Sequence, residues 1–134
     1  MLSTALARAL RDSGLVWRPA SGDAFRIDKV EADEELFTLS DMTVEAHTFD
    51  TGTVLGFNGT TEWALDSVDL DDALWHPHEN QLRELLAGAF VSLERSDDGF
   101  TVMATIAGSR ERFEATDAAD AYARALLAVL DGLA

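Results

Sequence analysis

The chain has 134 residues, 47% of them hydrophobic, and its 25 acidic and 10 basic residues give a formal net charge of −15. This length favours one domain with one core, and the hydrophobic content is too high for an intrinsically disordered chain. The absence of cysteine excludes disulfides, thiolate catalysis and cysteine-ligated metal centres, and the negative charge disfavours nucleic acids and anionic membranes as direct partners.

The first half of the chain is predicted to form a helix followed by short strands. Apolar residues recur at helical spacing from Leu2 to Leu10 and Gly14 follows, which predicts an amphipathic helix over residues 2–13. Alternation of apolar and polar residues then predicts four strands. These strands are Phe25–Val30, Leu36–Leu39, Thr43–Phe49 and Thr53–Phe57. Residues 60–72 fit neither the helical nor the strand period.

The second half is predicted to contain two helices that flank a three-stranded meander. Pro77 and Gly88 bracket a short helix over Glu79–Leu86, and an apolar helix that begins at Asp117 closes the chain. The predicted strands between them are Val91–Arg95, Phe100–Ile106 and Arg110–Ala115. Because strands and helices do not alternate, we expect an α+β fold in a single domain over residues 1–134, with an antiparallel sheet of two meanders and helices packed on one face.

Three stretches carry a family resemblance: residues 10–19 (LRDSGLVWRP), 56–66 (GFNGTTEWALD) and 120–127 (DAYARALL). Together they resemble a group of short acidic actinobacterial proteins of unknown function, some of which are labelled pilus assembly proteins. ATPase-like proteins of pilus assembly carry a Gly-rich phosphate loop that ends in Lys and Ser or Thr, whereas the only lysine here, Lys29, lies outside any such loop. The resemblance therefore implies a lineage and no catalytic residues.

The negative charge is concentrated in the middle of the sequence. No Lys or Arg lies between Lys29 and Arg83, and the 53 intervening residues carry 13 carboxylates. Such a segment is either a solvated surface that keeps the protein soluble or a surface that attracts a basic partner. Tryptophans in the same segment are core residues or anchors at an interface. The predicted surface consists of Asp66, Asp69, Asp71 and Asp72, with Trp63 and Trp75 as aromatic anchors.

Two short motifs support an enzymatic alternative. His76, His78 and Glu79 place two imidazoles and a carboxylate close together, and these groups can bind a divalent metal, although the flanks of Pro77 are expected to be an exposed loop. Asp50 lies in an Asp-Thr-Gly-Thr string, which is typical of one half of an aspartic protease site. The same string is also a good hairpin turn, because its residues favour turns.

We therefore expect a non-enzymatic interaction module that presents an acidic surface to an unknown protein partner, with a basic partner favoured. No cofactor is expected. The apolar residues near the start of the sequence follow no basic leader, so a cytoplasmic location is expected. The alternatives are a small metal-dependent or aspartyl hydrolase and a structural subunit of a larger assembly. The oligomeric state is not predicted.

Overall fold

A computed structural model describes residues 1–28, 36–39, 44–49, 52–57, 67–69 and 72–132, and between residues 44 and 69 it describes the backbone alone. The chain divides into two compact units. The first unit combines Met1–Val16 with Pro77–Ala134, and the second is Trp17–His76. The single-domain organisation expected from the length stays a prediction.

The described elements follow the order helix, strands, helix, strands, helix, and the strands pair antiparallel in three three-stranded sheets. The predicted α+β class is therefore confirmed. In chain order the elements are α1 (Thr4–Asp12), β1 (Ala24–Ile27), β2 (Leu36–Thr38), β3 (Val44–Phe49), β4 (Gly52–Phe57), β5 (Ser67–Asp69), β6 (Ala73–His76), α2 (Glu79–Leu86), β7 (Phe90–Ser96), β8 (Gly99–Ile106), β9 (Ser109–Ala115) and α3 (Ala118–Gly132).

In the first unit, α3 packs against a sheet with the strand order β7-β8-β9, and α1 and α2 pack against α3. The strand register places Leu93, Val102 and Phe113 in one row across the sheet, so these three side chains share one face. Tyr122 of α3 is buried, and its ring centre lies 5.7 Å from that of Phe90 on β7. Five alanines of α3 are also buried, which lets neighbouring backbones approach closely.

Helices α1 and α3 run in the same direction. One polar contact joins their N-terminal ends and another joins their C-terminal ends. The backbone N–H of Ser3, the N-cap of α1, donates to Oδ1 of Asp120 at 2.8 Å. At the other end, the hydroxyl of Ser13 donates to Oδ1 of Asp131 at 3.3 Å. Asp120 therefore accepts from the start of α1 while it lies in the first turn of α3, where the helix dipole favours a negative charge.

Asp117 precedes α3 and accepts the backbone N–H of Ala119 at 2.9 Å. Its other carboxylate oxygen accepts a hydrogen bond from the amino group of Met1. Burial opposes ionisation of this carboxyl group, but the hydrogen bond from the Met1 ammonium, the N–H of Ala119 and the ammonium charge outweigh burial, so the pKa of Asp117 is lowered from 3.8. Ionised Asp117 therefore stabilises the start of α3.

In the second unit, the first sheet has the strand order β2-β1-β6 and the second has the order β3-β4-β5. The register of the first sheet aligns Phe37, Phe25 and Trp75 in one row. The ring of Trp17 lies 5.3 Å from that of Phe25 and stacks on that of Trp75 at 6.5 Å. These aromatic side chains, with Ile27, form the core of this sheet.

Strand β6 corrects the sequence prediction for His76, which was expected in an exposed loop beside Pro77, and it also contains Trp75. Both residues lie in a strand that pairs with β1, and His76 is only 2% exposed. The pairing joins residues far apart in sequence, and a four-residue strand is too short for its own pattern to reveal it. The four strands predicted in the first half of the chain were expected to form one meander. They lie instead in two sheets, because β1 pairs with β2 and β6 whereas β3 and β4 pair with each other.

Candidate interaction surface

The two units differ strongly in charge. The second unit contains 14 acidic and 3 basic residues, a formal charge of −11, whereas the first contains 11 acidic and 7 basic residues, a formal charge of −4. The acidic segment found in the sequence therefore belongs almost entirely to one unit of the fold. Opposite charge on a partner would be attracted to that unit before contact, which raises the association rate.

Two acidic residues lie opposite each other at the end of the β1 and β6 strand pair. The ladder ends with Ile27 opposite Ala73, and the backbone N–H of Asp28 then donates to the carbonyl oxygen of Asp72 at 2.6 Å. Asp28 and Asp72 therefore lie side by side, and both are half-buried. Asp72 belongs to the surface predicted from sequence, whereas Asp28 was not predicted. Strand pairing brings it to that surface.

The rest of the predicted acidic surface is described only in part. Asp69 lies at the end of β5 and pairs through its backbone with Val54 of β4. Asp66, Asp71 and Trp63 lie outside the described residues. Their contribution to an acidic surface therefore stays a prediction.

Trp75 is the described member of the predicted aromatic anchors. It is half-buried, its ring stacks on the ring of Trp17, and it packs against the core that includes Phe25. A ring in this position stabilises the β2-β1-β6 sheet. Its role as an anchor for a partner stays a prediction, and the exposed part of the side chain is what a partner would contact.

Asp23 is a buried carboxylate that sequence reasoning did not single out. It is 3% exposed, and its Oδ2 accepts the indole N–H of Trp17 at 2.8 Å and the backbone N–H of Ala20 at 3.0 Å. Its backbone carbonyl also accepts the N–H of Leu39 at 2.7 Å. The hydrogen bonds of Asp23 thus join the loop before β1 to Trp17 of the aromatic core. The sequence signal was a carboxylate beside Gly22 in a turn-rich loop, but that pattern predicts only a turn.

The candidate metal ligands occupy different structural settings. His76 is buried in β6, whereas His78 is exposed and forms the N-cap of α2. The backbone N–H of His78 donates to Oε1 of Gln81 at 2.9 Å, and Glu79 is exposed in the first turn of the helix. Within the parts of the chain that the structure describes, no group of three His, Asp or Glu side chains is arranged to hold a metal ion.

Two described strands flank the start of the Asp-Thr-Gly-Thr string. Strands β3 and β4 pair antiparallel as far as Phe49 opposite Gly52. Asp50 and Thr51 lie outside the described residues. The turn interpretation and the aspartyl hydrolase alternative therefore both stay predictions.

Comparisons with protein-family models, with curated proteins and with solved structures return no match. Across the described residues, no helix is long and apolar enough to cross a membrane. Function is therefore inferred from the chain's own charges and contacts.

Proposed function

We propose that this chain is a non-enzymatic cytoplasmic interaction module whose second unit offers an acidic surface to a basic protein partner. The observation that carries the proposal is the side-by-side placement of Asp28 and Asp72 in a unit with a formal charge of −11. A unit with this excess of carboxylates attracts a partner that carries cationic side chains.

The charges of such a surface contribute mainly to association rate and selectivity. Exposed and half-exposed ion pairs each add little affinity, but a unit with a strongly negative field attracts basic partners and repels acidic ones. Trp75 lies in β6 only three residues after Asp72. The exposed part of its ring would add apolar contact area, which the carboxylates cannot supply.

Titration with a fluorescent nona-arginine peptide tests the proposal, with nona-glutamate and an uncharged peptide of equal length as controls. We expect saturable binding of the basic peptide only, with an affinity that falls by about tenfold or more between low and physiological ionic strength, because salt screens exposed charges. Equal binding of the three peptides, or an affinity unchanged by salt, would contradict electrostatic recruitment.

A further inference from the structure

A groove of about 400 Å³ lies at one end of the first unit's sheet. Its lining includes Thr101 of β8, Arg112 and Glu114 of β9, and Asp98 in the turn between β7 and β8. Phe100 and Ala115 add apolar surface. The groove therefore combines a cation, two carboxylates, a hydroxyl group and an aromatic ring.

Thr101 is the buried polar member of this lining. It is 4% exposed, and the strand register places it directly opposite Glu114, so the two side chains share one face of the sheet.

The charged side chains define which ligand the groove suits. One guanidinium nitrogen of Arg112 lies 3.8 Å from Oε1 of Glu114, and the two side chains are 61% and 71% exposed. Such a pair is weak and can exchange its partner for a ligand group. A simple anion would pair with Arg112 alone, and a simple cation with Asp98 and Glu114 alone. A ligand that carries both charges can satisfy both.

We propose that this groove binds a small zwitterion, a free amino acid or short peptide with an apolar side chain. Arg112 binds its carboxylate, Glu114 and Asp98 bind its ammonium group, and the hydroxyl of Thr101 hydrogen-bonds a polar atom between them. The apolar side chain of the ligand lies at the end of the sheet, where Phe100 and Ala115 complete the lining. The site is independent of the acidic surface in the second unit, so either proposal can fail without the other.

The test is an NMR titration of the full chain with leucine and with dileucine, compared with N-acetyl-leucine and leucinamide. We expect saturable binding of at least one zwitterion, with a Kd of about 1 mM or tighter, and binding about tenfold weaker for each analogue that lacks one charge. Stronger binding of leucine than of dileucine identifies a free amino acid as the ligand, and the reverse identifies a peptide. Equal binding of all four compounds, or no saturable binding of either zwitterion, would overturn the proposal.

Single substitutions test whether the zwitterion binds in this groove. Thr101→Val keeps the shape of the side chain without its hydroxyl, and Arg112→Gln removes the guanidinium at an exposed position that does not endanger folding. We expect each to weaken zwitterion binding about tenfold, whereas Arg110→Gln, on the same strand outside the groove, leaves it unchanged. Unchanged affinity in Arg112→Gln, or an equal loss in Arg110→Gln, would refute the assignment.

Discussion

The indole N–H of Trp17 donates a 2.8 Å hydrogen bond to Oδ2 of Asp23, and both residues are buried. The same oxygen accepts the backbone N–H of Ala20. Replacement of Asp23 by Ala deprives two donors of their acceptor. We therefore expect Asp23→Ala to lower the free energy of unfolding by about 2–4 kcal/mol, measured by urea denaturation.

Asp12→Ala is the matched control for Asp23→Ala, since Asp12 is 69% exposed and accepts a long 3.3 Å hydrogen bond from Arg11. We expect its effect on unfolding to stay within about 0.5 kcal/mol. A double-mutant cycle with Trp17→Phe isolates the pair and should give a coupling energy of about 1–3 kcal/mol. A coupling energy near zero would show that the hydrogen bond does not stabilise the second unit.

Gly99 is a position that no other residue can fill without movement of the backbone. A Cβ atom added there would lie 2.3 Å from the carbonyl oxygen of Ala115 and 2.8 Å from Cα of Thr116. We expect Gly99→Ala to cost about 2–3 kcal/mol of unfolding free energy in a thermal or urea denaturation series. Gly88→Ala is the control, because nothing lies within 4 Å of its added Cβ. Equal stability of the two variants would contradict this contact.

The lowered pKa of Asp117 makes the first unit sensitive to acid. Since the folded-state pKa lies below the ordinary value of 3.8, ionised Asp117 contributes stability that is fully present above that value and is lost as the pH falls through the folded-state pKa. Asp117→Asn keeps a side-chain acceptor for the N–H of Ala119 but removes the charge. We expect the variant to be less stable than the wild type at pH 7 and to approach it near pH 2.

Denaturation curves of both proteins between pH 7 and pH 2 measure this difference. A gap that stays constant across the whole range would show that the charge of Asp117 is not what the variant removes.

The two polar contacts between α1 and α3 should differ in strength. Asp120 accepts a 2.8 Å hydrogen bond from the backbone N–H of Ser3 in a part-buried position, whereas Asp131 accepts a 3.3 Å bond from Ser13 in an exposed one. We expect Asp120→Ala to cost about 1–2 kcal/mol and Asp131→Ala less than about 0.5 kcal/mol. Equal losses of unfolding free energy in the two variants, measured by urea denaturation, would contradict the expectation that the Asp120 contact is the stronger one.

Local sequence patterns correctly predicted the elements that are formed by residues close together in the sequence. Glu79–Leu86 forms α2 with the predicted bounds, and the β7-β8-β9 meander lies within two residues of its predicted bounds, because hairpins connect neighbouring strands. Just after α2, Ala87 has a positive φ of 49°, which is rare for a residue other than glycine. A short 3-10 turn, Ala87–Ala89, follows the α-helix, and the sequence pattern did not predict it.

Contacts between distant residues could not be predicted in this way. Asp28 and Asp72 become neighbours only because β1 and β6 pair. The groove around Thr101 likewise depends on the side-by-side arrangement of β8 and β9 and on the approach of Gly99 to Ala115. The sequence located the acidic segment, and strand pairing places Asp28, which precedes that segment, beside Asp72.

The most direct test of the acidic surface compares two charge-matched double variants in binding nona-arginine at low salt. Asp28→Asn with Asp72→Asn removes two charges from the second unit, and Glu84→Gln with Glu111→Gln removes two exposed charges from the first. We expect the first pair to weaken binding by about threefold to tenfold and the second to change it by less than about twofold. Equal losses in the two double variants would show that the peptide responds to net charge alone and would contradict a specific surface at Asp28 and Asp72.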